Sequence, residues 1–318
     1  MTGVDVVIPS LNYGRFLRDC IQSVLDQSPT KVRVLVIDNA SDDDSVEIAS
    51  EMARCDSRVE LLARRRNLGP HASFNEGIDW ARSDYFLVLC ADDLLVKASL
   101  QRAVRVLEER PDTHLAYGRT YFTDRELPGP ETLLQPQETC WRFMTGRELI
   151  ERFCRTGRNH VAGPTAVVRT SVQKAVGYYR PALPHTDDLE MWMRFAMHGN
   201  AAETDAWQAI SRVHGRTQSA TVADIHHWNI EFEAAFRSFF AHEGAALPDA
   251  RRLENLVLRR LGDRAYCSGF THLMRGEQGA LRLLGYAIEA RGRPFGVLPP
   301  AAYLLERLKN RYALRSAG

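Results

Sequence analysis

Hydrophobic positions follow two alternating periods through the first third of the chain. Val4 to Ser10 (VDVVIPS) is a short β-branched run, which predicts a buried strand. Leu17, Cys20, Ile21, Val24 and Leu25 then recur at helical spacing, and Pro29 marks the stop. Val32 to Asp38 predicts a second strand, and SDDDSVEIASEMAR a helix whose Ser41 and Asp44 are placed like a capping box. Val59 to Ala63 predicts a third strand, His71 to Arg82 a helix, and Tyr85 to Leu89 a fourth strand. Apolar strands alternating with helices imply an α/β fold, a mainly parallel sheet with helices on both faces.

The middle is less regular. Thr123 to Thr139 is rich in Pro, Glu and Thr and reads as a long loop or lid. Gly146 to Arg155 predicts a helix, and VAGPTAVVRT a strand entered through Gly163 and Pro164. In HTDDLEMWMRFAMHG, Leu189, Trp192, Met193 and Ala196 share one helical face, with Asp187 and Asp188 at its start. From about Trp228 onward the pattern is helical. The last helix carries Leu304, Leu305, Leu308 and Tyr312 on one side, with Arg307, Lys309 and Arg311 nearby. That stripe predicts packing on the preceding helices or on a second subunit, as in a homodimer. The alternative is a basic amphipathic helix lying on an anionic membrane surface. No internal repeat is present.

Composition narrows the classes. The 318 residues are 45% hydrophobic and 25% charged, enough for a core without staples. Lys plus Arg number 41 against 40 Asp plus Glu, so no global field draws the chain to nucleic acid. The six cysteines form no CxxC pair, which argues against a zinc site or disulfide framework and fits a reducing cytoplasm. The N-terminus shows no basic and apolar leader pattern, and no apolar run reaches the ~20 residues of a membrane span.

In parallel sheets, ligands bind beyond the carboxyl ends of the strands. Asp38 ends the second predicted strand, and FLVLCADDLL ends the fourth on Asp92 and Asp93. Adjacent carboxylates repel, and partial burial makes the repulsion worse. A divalent cation, a ligand or a helix N-terminus would relieve it.

The ordered series VVIPSLNYGRFLRDCIQSVLDQ, VIDNASDDDS, RNLGPHASFNEGI, FLVLCADDLL, TDDLEMWMR and SRVHGRTQS resembles the inverting family 2 glycosyltransferases of GT-A fold. The resemblance covers about Val4 to Ser219. It implies a nucleotide-sugar donor, a Mn2+ or Mg2+ ion, and transfer to a glycan, glycolipid or small-molecule acceptor, with bacterial polysaccharide or lipopolysaccharide synthesis as the setting. It divides the chain into a nucleotide-sugar-binding half (1–122), an acceptor and catalytic-base half (123–225) and a C-terminal helical region (226–318). By position, Pro9, Ser10, Asn12 and Tyr13 lie beside base and ribose, and Asp38 reads the base edge, supported by Asn39 and Ser41. Arg66, Asn67, Gly69 and Asn75 line the nucleotide side, with Ala91 and Asp92. Asp92 and Asp93 hold the metal, His214 touches metal or phosphate, and the following TQS closes on the diphosphate. Asp188 is the general base and Asp187 the neighbour that raises its proton affinity. The competing reading is that both acids merely cap the helix.

The chain departs from the family at one position. The commonest pattern is LDADD, and here Cys90 replaces the first acid. Cys90 reads as a small buried strand residue, which leaves coordination to Asp92 and Asp93. His226 and His227 read as surface or interface histidines and Trp192 as core. The run ARRRN (Ala63 to Asn67) could hold phosphate, and Arg64 and Arg65 read equally as solvated arginines. An ionised Asp38 needs an N–H on the base edge, which uracil offers and, as lesser options, guanine and thymine. Two other readings stand beside this one: a natural-product glycosyltransferase, and a nucleotide-sugar-binding protein without catalysis. A nucleotidyltransferase would want a Gly-rich phosphate loop, and IPSLNYG is not one.

Overall fold

The N-terminal β-branched run forms β1 (Gly3–Ser10) in the computed structural model, which describes residues 2–124, 127, 139–214, 224–292, 299–301 and 303–305. Alternate β1 side chains face opposite sides, as the strand period of two requires. Val4, Val6 and Ile8 join Leu17, Cys20, Ile21 and Val24 of α1 (Gly14–Leu25) and Ala49 and Met52 of α2 (Ser45–Cys55) in one core cluster. Val7 points the other way, toward Gly77 of α3 (Pro70–Trp80). Helices therefore cover both faces of the sheet.

The approach at Gly77 is close. A Cβ there would lie 2.6 Å from Val7 Cγ2, with two more Val7 carbons within 2.9 Å. Gly77→Ala should gain about 1 kcal/mol of helix propensity and lose about 1–3 kcal/mol to overpacking. We expect a net loss of stability, read as a lower denaturant midpoint at unchanged slope. A midpoint equal to wild type would mean that α3 moves off β1 without cost.

β1 pairs in parallel with β2 (Lys31–Asp38) on one side and β4 (Tyr85–Val88) on the other, and β3 (Val59–Ala63) adds to β2. Beyond β4 the sheet becomes mixed. β8 (Val167–Arg169) is antiparallel to both β4 and β6 (Thr113–Thr123), and β9 (Asn200–Arg212) is parallel to β6. β5 (Asp93–Leu95) and β7 (Trp141–Met144) each pair antiparallel with β9. The order of the main path is β3-β2-β1-β4-β8-β6-β9-β5. β1 connects outward to β2 on one side and β4 lies on its other side, so the crevice beyond its carboxyl end is where an open α/β sheet takes ligands.

Several boundaries differ from the sequence reading, each for a tertiary reason. The helix expected to Arg82 stops at Trp80. The fully buried Asp5 carboxylate accepts the backbone N–H groups of Arg82 (2.6 Å) and Ser83 (2.8 Å) and pulls that segment out of helix. The expected capping box at Ser41 does not form. α2 begins after Asp44 with no side-chain cap, because the Ser41 hydroxyl serves Asp38 instead. VAGPTAVVRT is a single turn of 3-10 helix (Gly163–Thr165) before the short β8. The fourth strand ends at Val88, so Asp92 and Asp93 do not terminate it. The chain turns through Cys90, whose carbonyl accepts the Asp93 N–H at 2.9 Å. Asp93 then opens β5, opposite Ser211. A three-residue strand held by a partner that distant leaves no periodicity to read.

α4 (Ser99–Glu109), α5 (Gly146–Thr156), α6 (Thr170–Val176) and α7 (Asp187–His198) complete this part of the chain. α7 is buried along Leu189 to Ala196, not on one stripe, and Trp192 is core, packed beside Phe195.

Close contacts divide the chain into two compact units, Met1–Ile150 with Asn159–Ala220, and Glu151–Arg158 with Thr221–Gly318. The second contains α8 (Ile225–Ala241), α9 (Ala250–Met274) and α10 (Ala280–Arg291). Ala265, Leu283 and Ala287 form its small core with Ile225, Tyr266 and Tyr286. His227 lies 3.5 Å from Glu231 and the His226 ring packs edge-on to Tyr286. In the tail, Leu304 and Leu305 are exposed. Leu308, Tyr312, Arg307, Lys309 and Arg311 lie outside the described residues, as do most of the expected 123–139 loop and the TQS segment.

Candidate active site

The turns after β1 and β2 lie side by side, since Pro9 pairs with Ile37 and Ser10 with Asp38. Asp38 is buried, and its carboxylate accepts the backbone N–H of Ser41 at 2.9 Å and the Ser41 hydroxyl. That hydroxyl also accepts the Asn12 N–H (2.9 Å), and the Asn12 side-chain oxygen accepts the Asp42 N–H (2.9 Å). Asn12 (φ 59°) and Ala40 (φ 69°) both sit in the left-handed region. That region is disfavoured for residues bearing a Cβ, so the strain is held by this lacing. Tyr13 caps α1, and its phenol is pushed up first by burial and then by Asp92.

The next layer joins β2 to the loop after β3. Asn39 donates to the Asn67 side-chain oxygen (2.7 Å), which also accepts the Gly69 N–H (2.8 Å). The Asn39 oxygen accepts the Leu68 N–H (3.0 Å) and Arg64 (3.1 Å). Of the two readings open for Arg64, solvated arginine or phosphate ligand, the enclosed side chain fits neither. Its guanidinium is spent on Asn39, Ser73, the Ala72 carbonyl and Glu76. Arg65 and Arg66 are exposed on the same loop. Asn75 uses both ends of its amide on the backbone of Tyr179, at 2.8 and 3.1 Å, so it fixes the loop before α7.

Asp92 and Asp93 are both buried. Burial pushes both carboxyls above the usual range. At Asp93 the charge of Asp92 adds to the rise, and hydrogen bonding from Ser211 opposes it. His214 Nε2 lies 3.1 Å from Asp92 Oδ2, and its ring packs beside Phe16 and Tyr13. Arg212 donates to the Asp92 carbonyl and pairs with Asp19. The Ala91 side chain is buried in the core cluster. Cys90 is not the buried strand residue expected. It follows the strand, is exposed, and its sulfur lies within 4.8 Å of carboxylate oxygens of Asp92 and Asp93. Among the described residues this is the group suited to a metal ion. Two converging carboxylates fit Mg2+ or Mn2+, which prefer hard oxygen donors and keep several waters. A cation would also relieve the cost of two adjacent buried acids.

The second acid pair sits at the start of α7. Thr186 is the residue before the helix, and no side chain caps the turn. Asp187 Oδ2 lies 3.2 Å from His71 Nε2 of α3. Asp188 accepts the Asn159 side-chain amide at 2.8 Å and the Leu189 N–H at 2.7 Å. Burial first, and then the charge of Asp187, raise the Asp188 carboxyl to about 7. Behind the pair, the buried Tyr179 phenol is pushed up first by burial and then by Asp187 and Asp188. The helix start is pinned by Glu190, which is fully buried and takes Arg180 and Arg194, while Arg194 donates to the carbonyls of Val176 and Tyr178.

Three contributors escaped the sequence reading: His71, Asn159 and the Glu190–Arg194 pair. His71 carried a weak signal, as a histidine directly after Gly69 and Pro70 at a helix start. The i, i+4 spacing of Glu190 and Arg194 was visible but reads as an ordinary surface pair.

The family described as "Glycosyl transferase family 2" has a model that matches residues 5–177. An uncharacterized glycosyltransferase, MJ1057 of Methanocaldococcus jannaschii, is 25% identical over 193 residues, covering 60% of this chain and 63% of that protein. The chain thus spans less than two-thirds of that relative. Staphylococcus aureus TarS 1-349, solved in complex with UDP-GlcNAc, superposes with a TM-score of 0.65 at 17% identity, over 92% of this chain and 82% of that one. The mannosyltransferase PcManGT of Pyrobaculum calidifontis, solved with GDP-Man and Mn2+, gives a TM-score of 0.56 at 16% identity, over 98% and 80%. At such identities the two structures speak to the fold alone, which is GT-A. With more than half its length matched by the family model, the chain belongs to glycosyl transferase family 2.

Proposed function

We propose that the chain transfers one sugar, with inversion, from a nucleotide-sugar donor to an acceptor hydroxyl. Asp188 takes the hydroxyl proton as the acceptor oxygen bonds to the anomeric carbon. The bond from that carbon to the diphosphate breaks, and the nucleoside diphosphate leaves. The observation that carries this reading is the Asp188 carboxyl, raised to about 7 by burial and by Asp187 and held by Asn159. A general base works best when its proton affinity lies near the working pH. Asp92 and Asp93 would hold Mn2+ or Mg2+, which when bound neutralises charge developing on the diphosphate. His214 stands beside Asp92 to meet the same region.

Asp38, with Ser41, reads the base. Ser41 fixes the carboxylate through one bond to each oxygen, which leaves acceptor capacity on both. Uracil suits it best, through N3–H, and guanine and thymine also offer an N–H edge. UDP in one structural neighbour and GDP in another both fit that rule. Cytosine would place an acceptor against Asp38. Residues 1–122 are assigned to the nucleotide half and 123–225 to the acceptor half, and the C-terminal region from 226 is assigned to packing, a second copy or a membrane surface. Among the described residues, no helix is long and apolar enough to cross a membrane. A cytoplasmic site of polysaccharide assembly follows from the family resemblance.

The test is a donor panel with purified protein, following nucleoside diphosphate release with and without Mn2+. Release from a UDP-sugar that needs Mn2+ is expected. Binding without any release would favour a non-catalytic nucleotide-sugar-binding protein. In calorimetry UDP should bind more tightly than CDP by about 5–150-fold, the ~1–3 kcal/mol of an unpaired buried group. Equal affinities would remove Asp38 from the base.

A further inference from the structure

His71 lies within the RNLGPHASFNEGI stretch without an assigned role and has no place in the mechanism above, yet it lies against the second acid pair. It is the second residue of α3 and is buried. Its Nε2 is 3.2 Å from Asp187 Oδ2, with both side chains nearly enclosed. The ring is locked edge-on against Phe74 (5.8 Å), which packs on Tyr179 (5.2 Å). Asn75, one residue further on α3, holds the Tyr179 backbone from both sides. Ring, helix and loop are thus fixed together, and His71 has little freedom to leave Asp187.

We propose that His71 is a positioning residue for proton transfer: as the positive partner of Asp187, it sets how readily Asp188 accepts the acceptor proton. The inference rests on Asp188 being the base. Asp187 and Asp188 are adjacent acids, and the negative charge of one opposes ionisation of the other. An imidazole carrying its second proton would offset that charge at close range, and ion pairing of this kind does not need a linear hydrogen bond. The other groups facing the pair do not replace it. Asn159 is neutral, Tyr179 is a buried phenol, Cys90 is a thiol that adds no positive charge, and Arg194 is committed to Glu190 and two carbonyls. Without His71 the full charge of Asp187 falls on Asp188.

The test compares pH profiles of kcat/KM for wild type, His71→Ala and His71→Gln, using full-length protein and saturating Mn2+. Both variants should move the acidic limb to higher pH by about half to one unit, since each removes the charge. Their losses should be several-fold near pH 6.5 and smaller near pH 8.5, with donor KM and melting temperature close to wild type. An unmoved limb in both variants would overturn the proposal. So would a wild-type profile in His71→Gln alone, which would make the contact a neutral hydrogen bond. The reading beneath it fails separately: if Asp188→Asn keeps wild-type transfer, the base is wrong whatever His71 does.

Discussion

Replacing Asp188 by Asn is expected to lower transfer by about 10²–10⁴-fold while donor binding survives, the usual range for loss of a general base. The geometry makes this specific to Asp188. Asn at 188 can still accept from Asn159 through its side-chain oxygen, so the helix start should hold, but it cannot take a proton. Asp187→Asn should be milder, and a reversed order would move the base to Asp187. In wild type, kcat/KM should fall about tenfold per pH unit below about 7, where the Asp188 carboxyl binds its proton. That acidic limb belongs to the coupled Asp187–Asp188 pair. The same shift has a consequence for stability. A folded-state value near 7 against an ordinary 3.8 means that folding favours the protonated acid. The stabilising contribution is therefore complete below 3.8 and lost as pH rises through 7. Asp188→Asn should melt above wild type at pH 8, by about 2–4 °C if the cost relieved is ~1 kcal/mol. The advantage should vanish near pH 4. Near-wild-type transfer in both variants would leave the pair as acids in the first turn of α7 with no catalytic part.

Asp92→Asn and Asp93→Asn should each lower turnover by about 10²–10³-fold, the scale of losing a preorganised electrostatic contact to developing charge. Chelation of wild type with EDTA should bring it to the same level, and Mn2+ should restore wild type but neither variant. Both acids are buried and adjacent, so without an ion each variant should be more stable than wild type, having lost one of two repelling charges. The combination of lower activity and higher metal-free stability separates an ion site from a structural acid pair. Transfer unaffected by EDTA would mean that the pair holds no catalytic cation, with Cys90 in place of an acid as the point of departure.

The sequence by itself determined the βαβ order of the first third, since strand and helix periods differ and each is a local property. β1, α1, β2 and β3 lie where the apolar spacing predicts. It also marked the candidate acids, because Asp38 ends a strand, Asp92 and Asp93 follow shortly after one, and Asp187 and Asp188 open a helix, all legible without a structure. The tertiary structure alone decided what those acids face. Ser41 looked like a helix cap and serves Asp38. Cys90 looked like strand interior and stands at the edge of the carboxylates. Arg64 read equally as a solvated arginine or a phosphate ligand, and it ties Asn39 to α3. Asp93 looked like a strand end and begins a strand with Ser211 as its partner. His71 and Asn159 reach the second acid pair from other elements, over separations no spacing rule spans. The physical reason is the same in each case. Periodicity reports how a side chain points from its own helix or strand, whereas hydrogen-bond partners and desolvation depend on what other elements bring opposite it. The proton affinity of Asp188 is raised by burial and by Asp187 against the opposing hydrogen bond from Asn159, and that burial exists only in the folded chain.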